Sequence, residues 1–216
     1  MVFTGESCMT ALPENKPGLL LEEEAKNLVT KLGRYHLLTY HHSLMVAKLS
    51  TALAECIGMP RDEVTLLRYS ALVHDVGKLG IPLSILDKPG SLTPEEIDVV
   101  REHSYLGSDI VALRPGLESL RPIVLFHHER WDGSGYPAGL SGTKIPFLAR
   151  VIALADAFEA ITAGRVYKPK AGKGWAVKEL ERCAGSQFDP SLAEDFIRLL
   201  TTSKKAEQIY ERWDEC

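Results

Sequence analysis

The sequence predicts an all-α fold, a single-domain bundle of helices, and three observations carry that expectation. Apolar residues recur three and four positions apart along most of the chain. Glycine, proline and capping residues interrupt those stretches at intervals of about one helix. No run alternates apolar with polar residues long enough for a useful strand, and neither an internal repeat nor a low-complexity tract is present.

Residues 1–18, with Pro13, Pro17 and Gly18, hold no sustained period and read as a flexible N-terminal tail. The domain proper is expected over residues 19–203. Its first helix spans Leu19 to Leu32 behind the acidic turn Glu22 to Glu24 and is expected to end at Gly33. A second covers about Tyr40 to Ile57, with His41 and His42 in its first turn, and stops at Gly58 and Pro60. The third, Arg61 to Val76, runs into His74, Asp75 and a terminating Gly77. Ile81 to Gly90 reads as a turn holding one short helical turn. Thr93, Pro94, Glu95 and Glu96 then supply a capping hydroxyl, a proline at the first position and an acidic first turn. They open a fourth helix to about Leu113, with His103 in its middle.

Pro115 and Gly116 break the chain before a fifth helix, Leu117 to Glu129, which ends in the doublet His127 and His128. A glycine-rich loop follows through Gly133, Gly135, Tyr136 and Pro137. The next helix, Pro146 to Ala163, is strongly apolar and carries Asp156 in its apolar part. Two amphipathic helices, near Trp175 to Ala184 and Pro190 to Leu200, precede a charged C-terminal extension, residues 204–216.

A net charge of -4 without a basic block argues against DNA or RNA as a partner, since nothing would release counterions from a polyanion. No apolar run approaches the roughly 18 residues of a membrane span. The opening MVFTGESCMT also lacks a secretory pattern, so no membrane association and a cytoplasmic location are expected. The four cysteines have neither zinc-knot nor disulfide spacing.

The seven histidines all fall between His36 and His128. His42, His74, His103, His127 and His128, with Asp75 and Asp156, lie on five helices that can converge on one interior. A carboxylate in an apolar helix, as at Asp156, needs a partner or a cation to offset its desolvation. Five imidazoles and two carboxylates exceed the needs of a four-coordinate zinc site. They suit two octahedral ions with one carboxylate bridging. His36 and His41 are not required.

The pattern of His42, His74-Asp75-Val76-Gly77-Lys78, His103, His127-His128-Glu129, Asp132-Gly133, Gly135-Tyr136-Pro137 and Asp156 resembles the HD-GYP subfamily of the HD phosphohydrolases. The likeness runs from about His42 to Leu200 and includes the phrases KLGIP, KPGSLTPEE and LARVIALADAFEAIT. It implies a helical bundle of the HD phosphohydrolase type and a phosphodiesterase that cuts the bacterial messenger cyclic di-GMP to linear pGpG, and further to GMP in some cases.

By the resemblance, His42, His74, Asp75 and Asp156 hold one ion, and His103, His127, His128 and the second oxygen of Asp75 hold the other. Iron or manganese is implied, with a hydroxide between the ions as nucleophile. Lys78 would stabilise or protonate the departing ribose oxygen. Gly135, Tyr136 and Pro137 would border the substrate, and Arg165 and Lys168 would reach guanine edges or phosphates. Leu38 stands where some members have a glutamate for a third ion, so two are expected. Glu159 and Val166 replace the more usual Asp and Pro.

Two other readings stay open: a metal-holding module that acts by docking on a protein partner such as a diguanylate cyclase, and a hydrolase of another cyclic dinucleotide or nucleotide. Only 41 residues precede His42, too few for a receiver or sensor domain, so any regulation is expected from a partner, a lost neighbouring domain or the oxidation state of the metal.

Overall fold

The computed structural model describes residues 17–163, 172–204 and 209. They form ten α-helices: α1 (Pro17–Tyr35), α2 (Leu37–Cys56), α3 (Arg61–Val73), α4 (Leu83–Leu86), α5 (Pro94–Arg101), α6 (His103–Ala112), α7 (Arg121–Phe126), α8 (Phe147–Thr162), α9 (Lys173–Cys183) and α10 (Pro190–Thr202). Short 3₁₀ turns lie at Val76–Gly80, Glu118–Leu120 and Gly142–Lys144. Among the described residues the only β feature is an isolated bridge between Ala184 and Phe188. The all-α expectation holds.

One apolar cluster joins the helices. α2 packs on both α3 and α8, α1 covers α2 and α3, and α9 and α10 close over α8. Leu49, Leu53, Leu67, Ile152, Leu154, Phe158 and Phe196 are buried in that cluster. The two phenylalanine rings meet edge to face with centroids 5.8 Å apart.

Several boundaries differ from the sequence expectation, each for a local reason. α1 starts at Pro17, inside the expected tail, and continues through Gly33 to Tyr35. Gly33 does not stop the helix. A Cβ there would lie 3.1 Å from the ring of Tyr40, so its use is to let that ring pack close. α2 starts at Leu37, earlier than expected, because the ring of His36 serves as its cap and accepts from the Thr39 N–H.

α3 ends at Val73 instead of Val76, and Gly77 lies within a 3₁₀ turn instead of terminating a helix. The expected helix from Thr93 to Leu113 is two helices, interrupted at Glu102, so His103 opens α6 and is not in mid-helix. Its start is as expected, with the full capping box between Thr93 and Glu96. The helix expected over Leu117 to Glu129 begins as a 3₁₀ turn and is α-helical only to Phe126.

The contact that sets the site is between two glycines. A Cβ on Gly77 would fall 1.9 Å from the His103 carbonyl oxygen and 2.5 Å from the Gly107 N. Only a glycine lets the 76–80 turn lie against α6, which brings Asp75 and Lys78 beside His103. Gly77→Ala should therefore destabilise the fold by about 1–3 kcal/mol or more, as overpacking against rigid backbone does. Gly174→Ala, in α9 with nothing within 4 Å of the added carbon, should be neutral or slightly stabilising. Urea unfolding of the two variants checks the contrast, and equal midpoints would refute the packing argument.

Candidate metal centre

The seven expected ligands come from five places in the fold. His42 lies in the second turn of α2, His74 and Asp75 just after α3, and His103 at the start of α6. His127 and His128 follow α7, and Asp156 is in α8. The structure brings them together as two groups: His42, His74 and Asp156, and Asp75, His103, His127 and His128, the donor atoms within each lying no more than 4.8 Å apart.

Asp75, only 1% exposed, faces both groups. Its Oδ2 lies 3.6 Å from His42 Nε2 and 3.5 Å from His74 Nε2, while Oδ1 lies 3.4 Å from His103 Nε2. His42 Nε2 is 3.1 Å from Asp156 Oδ1. In the other group His103 Nε2 is 3.3 Å from His127 Nε2 and 3.1 Å from His128 Nε2.

The rings are aimed by their other nitrogens. Nδ1 of His74, His103 and His127 bonds to the carbonyl three residues earlier, that of Ala71, Val100 and Val124, at 2.7, 2.6 and 2.6 Å. An Nδ1–H committed to a carbonyl leaves Nε2 with a free lone pair. His74 Nε2 is buried without a hydrogen-bond partner. Three converging imidazole lone pairs that repel one another and an unpartnered buried nitrogen are what a divalent cation would satisfy. The residues present fit such an ion in each group.

The charges agree with that use. Burial lowers His74 and pushes His103 down to about 4. Burial and the His103 ring push His128 down to about 3, and burial with His128 holds His127 well below its usual value. These four rings are neutral at pH 7, as metal ligation requires. For Asp75 burial works to raise the pKa, but Lys78, then His74, His103 and His42, outweigh it and hold the carboxyl well below the usual range. His42 is the exception: burial opposes its ionisation, yet Asp156 and Glu159 raise it to about 9, so without a metal it is cationic and an ion there would displace its Nε2 proton.

Lys78 Nζ donates to Asp75 Oδ2 at 2.5 Å and is mostly buried. Tyr136 stacks on His128 with ring centroids 4.9 Å apart, and Arg101 lies over the Tyr136 ring at 5.4 Å. The Tyr136-Pro137 peptide is cis. Gly135 has a packing role, since a Cβ there would fall 2.4 Å from the Arg130 N. Arg165 and Lys168 lie outside the described residues.

Two carboxylates that the sequence analysis named without giving them a role also belong here. Glu129 is buried and accepts from the N–H groups of Ala138 at 2.7 Å and Leu140 at 3.1 Å, so it ties the glycine-rich loop to the histidine doublet. Glu159, also buried, accepts from His42 Nδ1. The signal that could have given Glu159 a role is its position one turn beyond Asp156 on the same helix face.

With this geometry in place, the similarities to known proteins become specific. A sequence profile describing the HD domain matches residues 8–192. The chain belongs to the HD domain family. It is 38% identical over 192 residues to a protein of Thermotoga maritima named cyclic di-GMP phosphodiesterase, covering 88% of this chain and 51% of that one. It is 35% identical over 176 residues to a Vibrio cholerae protein named 3'3'-cGAMP-specific phosphodiesterase 2, covering 81% of this chain and 31% of that one. The chain thus spans about half or less of the length of these relatives. An HD-GYP-like protein from Bdellovibrio bacteriovorus shares the fold, with a TM-score of 0.63 at 23% identity over 85% of this chain and 63% of that one. Among the described residues no helix is long and apolar enough to cross a membrane.

The neutral histidines predict an acid-sensitive metal-free fold. Below the unfolded value of about 6.5 the unfolded chain takes up protons that the folded rings refuse until about 4 at His103 and 3 at His128. Stability is therefore lost as pH falls from about 6.5, by up to about 1.4 kcal/mol per pH unit for each such ring. His42, raised to about 9, contributes fully below 6.5 and loses that contribution as pH rises toward 9, so it does not offset the acid loss. Urea unfolding of chelator-treated protein at pH 7, 6 and 5 should show falling midpoints. A flat profile would contradict the neutral assignment.

Glu129→Ala should loosen the loop without unfolding the bundle. Hydrogen exchange at Ala138 and Leu140 should quicken by about 10–100-fold, which is the loss of about 1.5–3 kcal/mol for a bond to a charged acceptor. Unchanged exchange would remove Glu129 from that role.

Proposed function

We propose that the chain is a metal-dependent phosphodiesterase that cleaves cyclic di-GMP to linear pGpG, and onward to GMP. The observation that carries this reading is Asp75, a buried carboxylate whose two oxygens face two separate groups of ligand atoms. His42, His74, Asp75 and Asp156 would hold one divalent ion, and His103, His127, His128 and Asp75 the other. Mixed nitrogen and oxygen donors favour iron or manganese, and Leu38, without a donor atom, supports two ions in place of three. Bound there, the ions would supply Lewis-acid charge for the phosphate oxygens and acidify water for attack on phosphorus.

The remaining work falls to this chain's own side chains. Lys78 is anchored by the Asp75 carboxylate and carries the proton and positive charge that a departing ribose oxygen needs. Tyr136, fixed by its stack on His128, gives the site a wall with a ring and a hydroxyl. In this reading Gly135 and Pro137 shape that wall, and Arg165 and Lys168 contact guanine or phosphate. Similarity to a relative named for 3'3'-cGAMP supports a second reading, another cyclic dinucleotide as the preferred substrate.

Anaerobic protein loaded with Fe²⁺ or Mn²⁺ and given equal amounts of cyclic di-GMP and 3'3'-cGAMP tests both, with products resolved by chromatography. The expected result is pGpG as first product and faster loss of cyclic di-GMP. Faster loss of the mixed dinucleotide favours the second reading, and no turnover of either by fully loaded protein overturns the proposal. Asp75→Ala should lose both metals and activity. Lys78→Ala should keep its metal and lose about 10²–10³ in kcat, the usual cost of removing one charge-stabilising donor.

A further inference from the structure

Glu159 is, among the described residues, the carboxylate hydrogen-bonded to the Nδ1 of a site histidine. It is 4% exposed, it sits three residues beyond Asp156 in α8, and among the ion pairs of the described residues its carboxylate has one partner, His42 Nδ1. His74, His103 and His127 are each held by a neutral carbonyl from their own chain segment. His42 is held by a full negative charge that arrives from 117 residues away. A carboxylate behind an imidazole fixes Nδ1 as the protonated nitrogen and makes Nε2 a stronger donor than a carbonyl does.

The two groups are therefore unequal in charge as well as in composition. The group of His42 and His74 has Asp156 within it and Glu159 behind it, besides the Oδ2 face of Asp75. The group of His103, His127 and His128 has three imidazoles and the carboxylate Asp75 within it, with Asp156 reaching only its edge, 4.0 Å from His128 Nδ1. A divalent ion is attracted more strongly to the first arrangement, and His42 Nε2, 3.1 Å from Asp156 Oδ1, is already turned toward it.

We propose that Glu159 is a positioning residue for the metal centre and that, through His42, it makes the His42, His74 and Asp156 group the first of the two to fill. The inference rests on the metal reading of the site given above. Glu159 touches neither substrate nor reacting atoms in this role; it acts through the ring it orients. The glutamate side chain spans the gap from α8 to His42, which an aspartate, one methylene shorter, would cross less well.

Calorimetric titration of metal-free protein with Mn²⁺ tests it, with circular dichroism as a check that each variant is folded. The wild type should bind in two steps of unequal affinity. Asp156→Ala should remove the tighter step and His128→Ala the weaker one. Glu159→Gln, isosteric but uncharged, should weaken the tighter step by about 10–100-fold and leave the weaker one in place. Glu159→Asp should recover part of that loss. Ring ¹⁵N shifts of the metal-free protein give a second readout: in Glu159→Leu the His42 Nδ1 signal should move, while those of His74, His103 and His127 stay put. Unchanged affinity in folded Glu159→Gln, or equal weakening of both steps, overturns the role of Glu159 alone. Failure of the wild type to bind Mn²⁺ at all overturns the metal reading beneath it.

Discussion

A carboxylate that is almost wholly removed from water is the constraint on which the rest of the structure depends. Asp75 is 1% exposed, and a buried charge of that kind is tolerated only where positive charge and donors surround it. Lys78 reaches it from the next turn and His42, cationic without a metal, from α2, so removing either leaves the buried charge less compensated. The neutral His74 and His103 rings turn Nε2 lone pairs toward the same carboxylate, an arrangement that a cation would satisfy. The architecture follows, because α2, α3 and α6 must all end or turn near one point to deliver those rings.

The delivery has a repeated local form. His74, His103 and His127 each bond through Nδ1 to the carbonyl three residues earlier, an acceptor that an uninterrupted helix would use for its own ladder. α3 stops at Val73, the break between α5 and α6 comes at Glu102, and α7 stops at Phe126. In each case the helix is interrupted immediately before the histidine or one residue ahead of it. The same hydrogen bond that aims a ring therefore accompanies the end of the helix that precedes it in the chain, so site geometry and helix boundary are one feature.

This explains what could be read from the sequence and what could not. Apolar periodicity located the helices, and Thr93 to Glu96 marked a start that the structure reproduces as a full capping box. The histidines and aspartates stood out because they interrupt apolar stretches, and the structure brings all seven into two adjoining groups. Periodicity could not reveal that His103 begins a new helix, since a side chain competing for a backbone carbonyl leaves the apolar pattern intact. Nor could it separate a helix-ending glycine from one kept for close approach, the distinction that misplaced the ends at Gly33 and Gly77. Glu159 was visible only as a departure from a family pattern. Its use became apparent when α2 and α8 were brought side by side.

The glycine-rich loop shows how a wall can be made firm without regular structure. Glu129 holds it from inside through the N–H groups of Ala138 and Leu140, and Tyr136 leans on His128. From the other side the Trp131 and Asp132 N–H groups donate to the carbonyls of Gln187 and Ser186, in the connection between α9 and α10. That connection is itself pinned, because Asp189 caps α10 and pairs with Arg150 of α8 at 2.5 Å. α8, which presents Asp156 to the centre, is thus also tied to the loop that borders it. A shift of α8 would move Asp156 and the loop together, so the bundle sets the loop's position relative to Asp156.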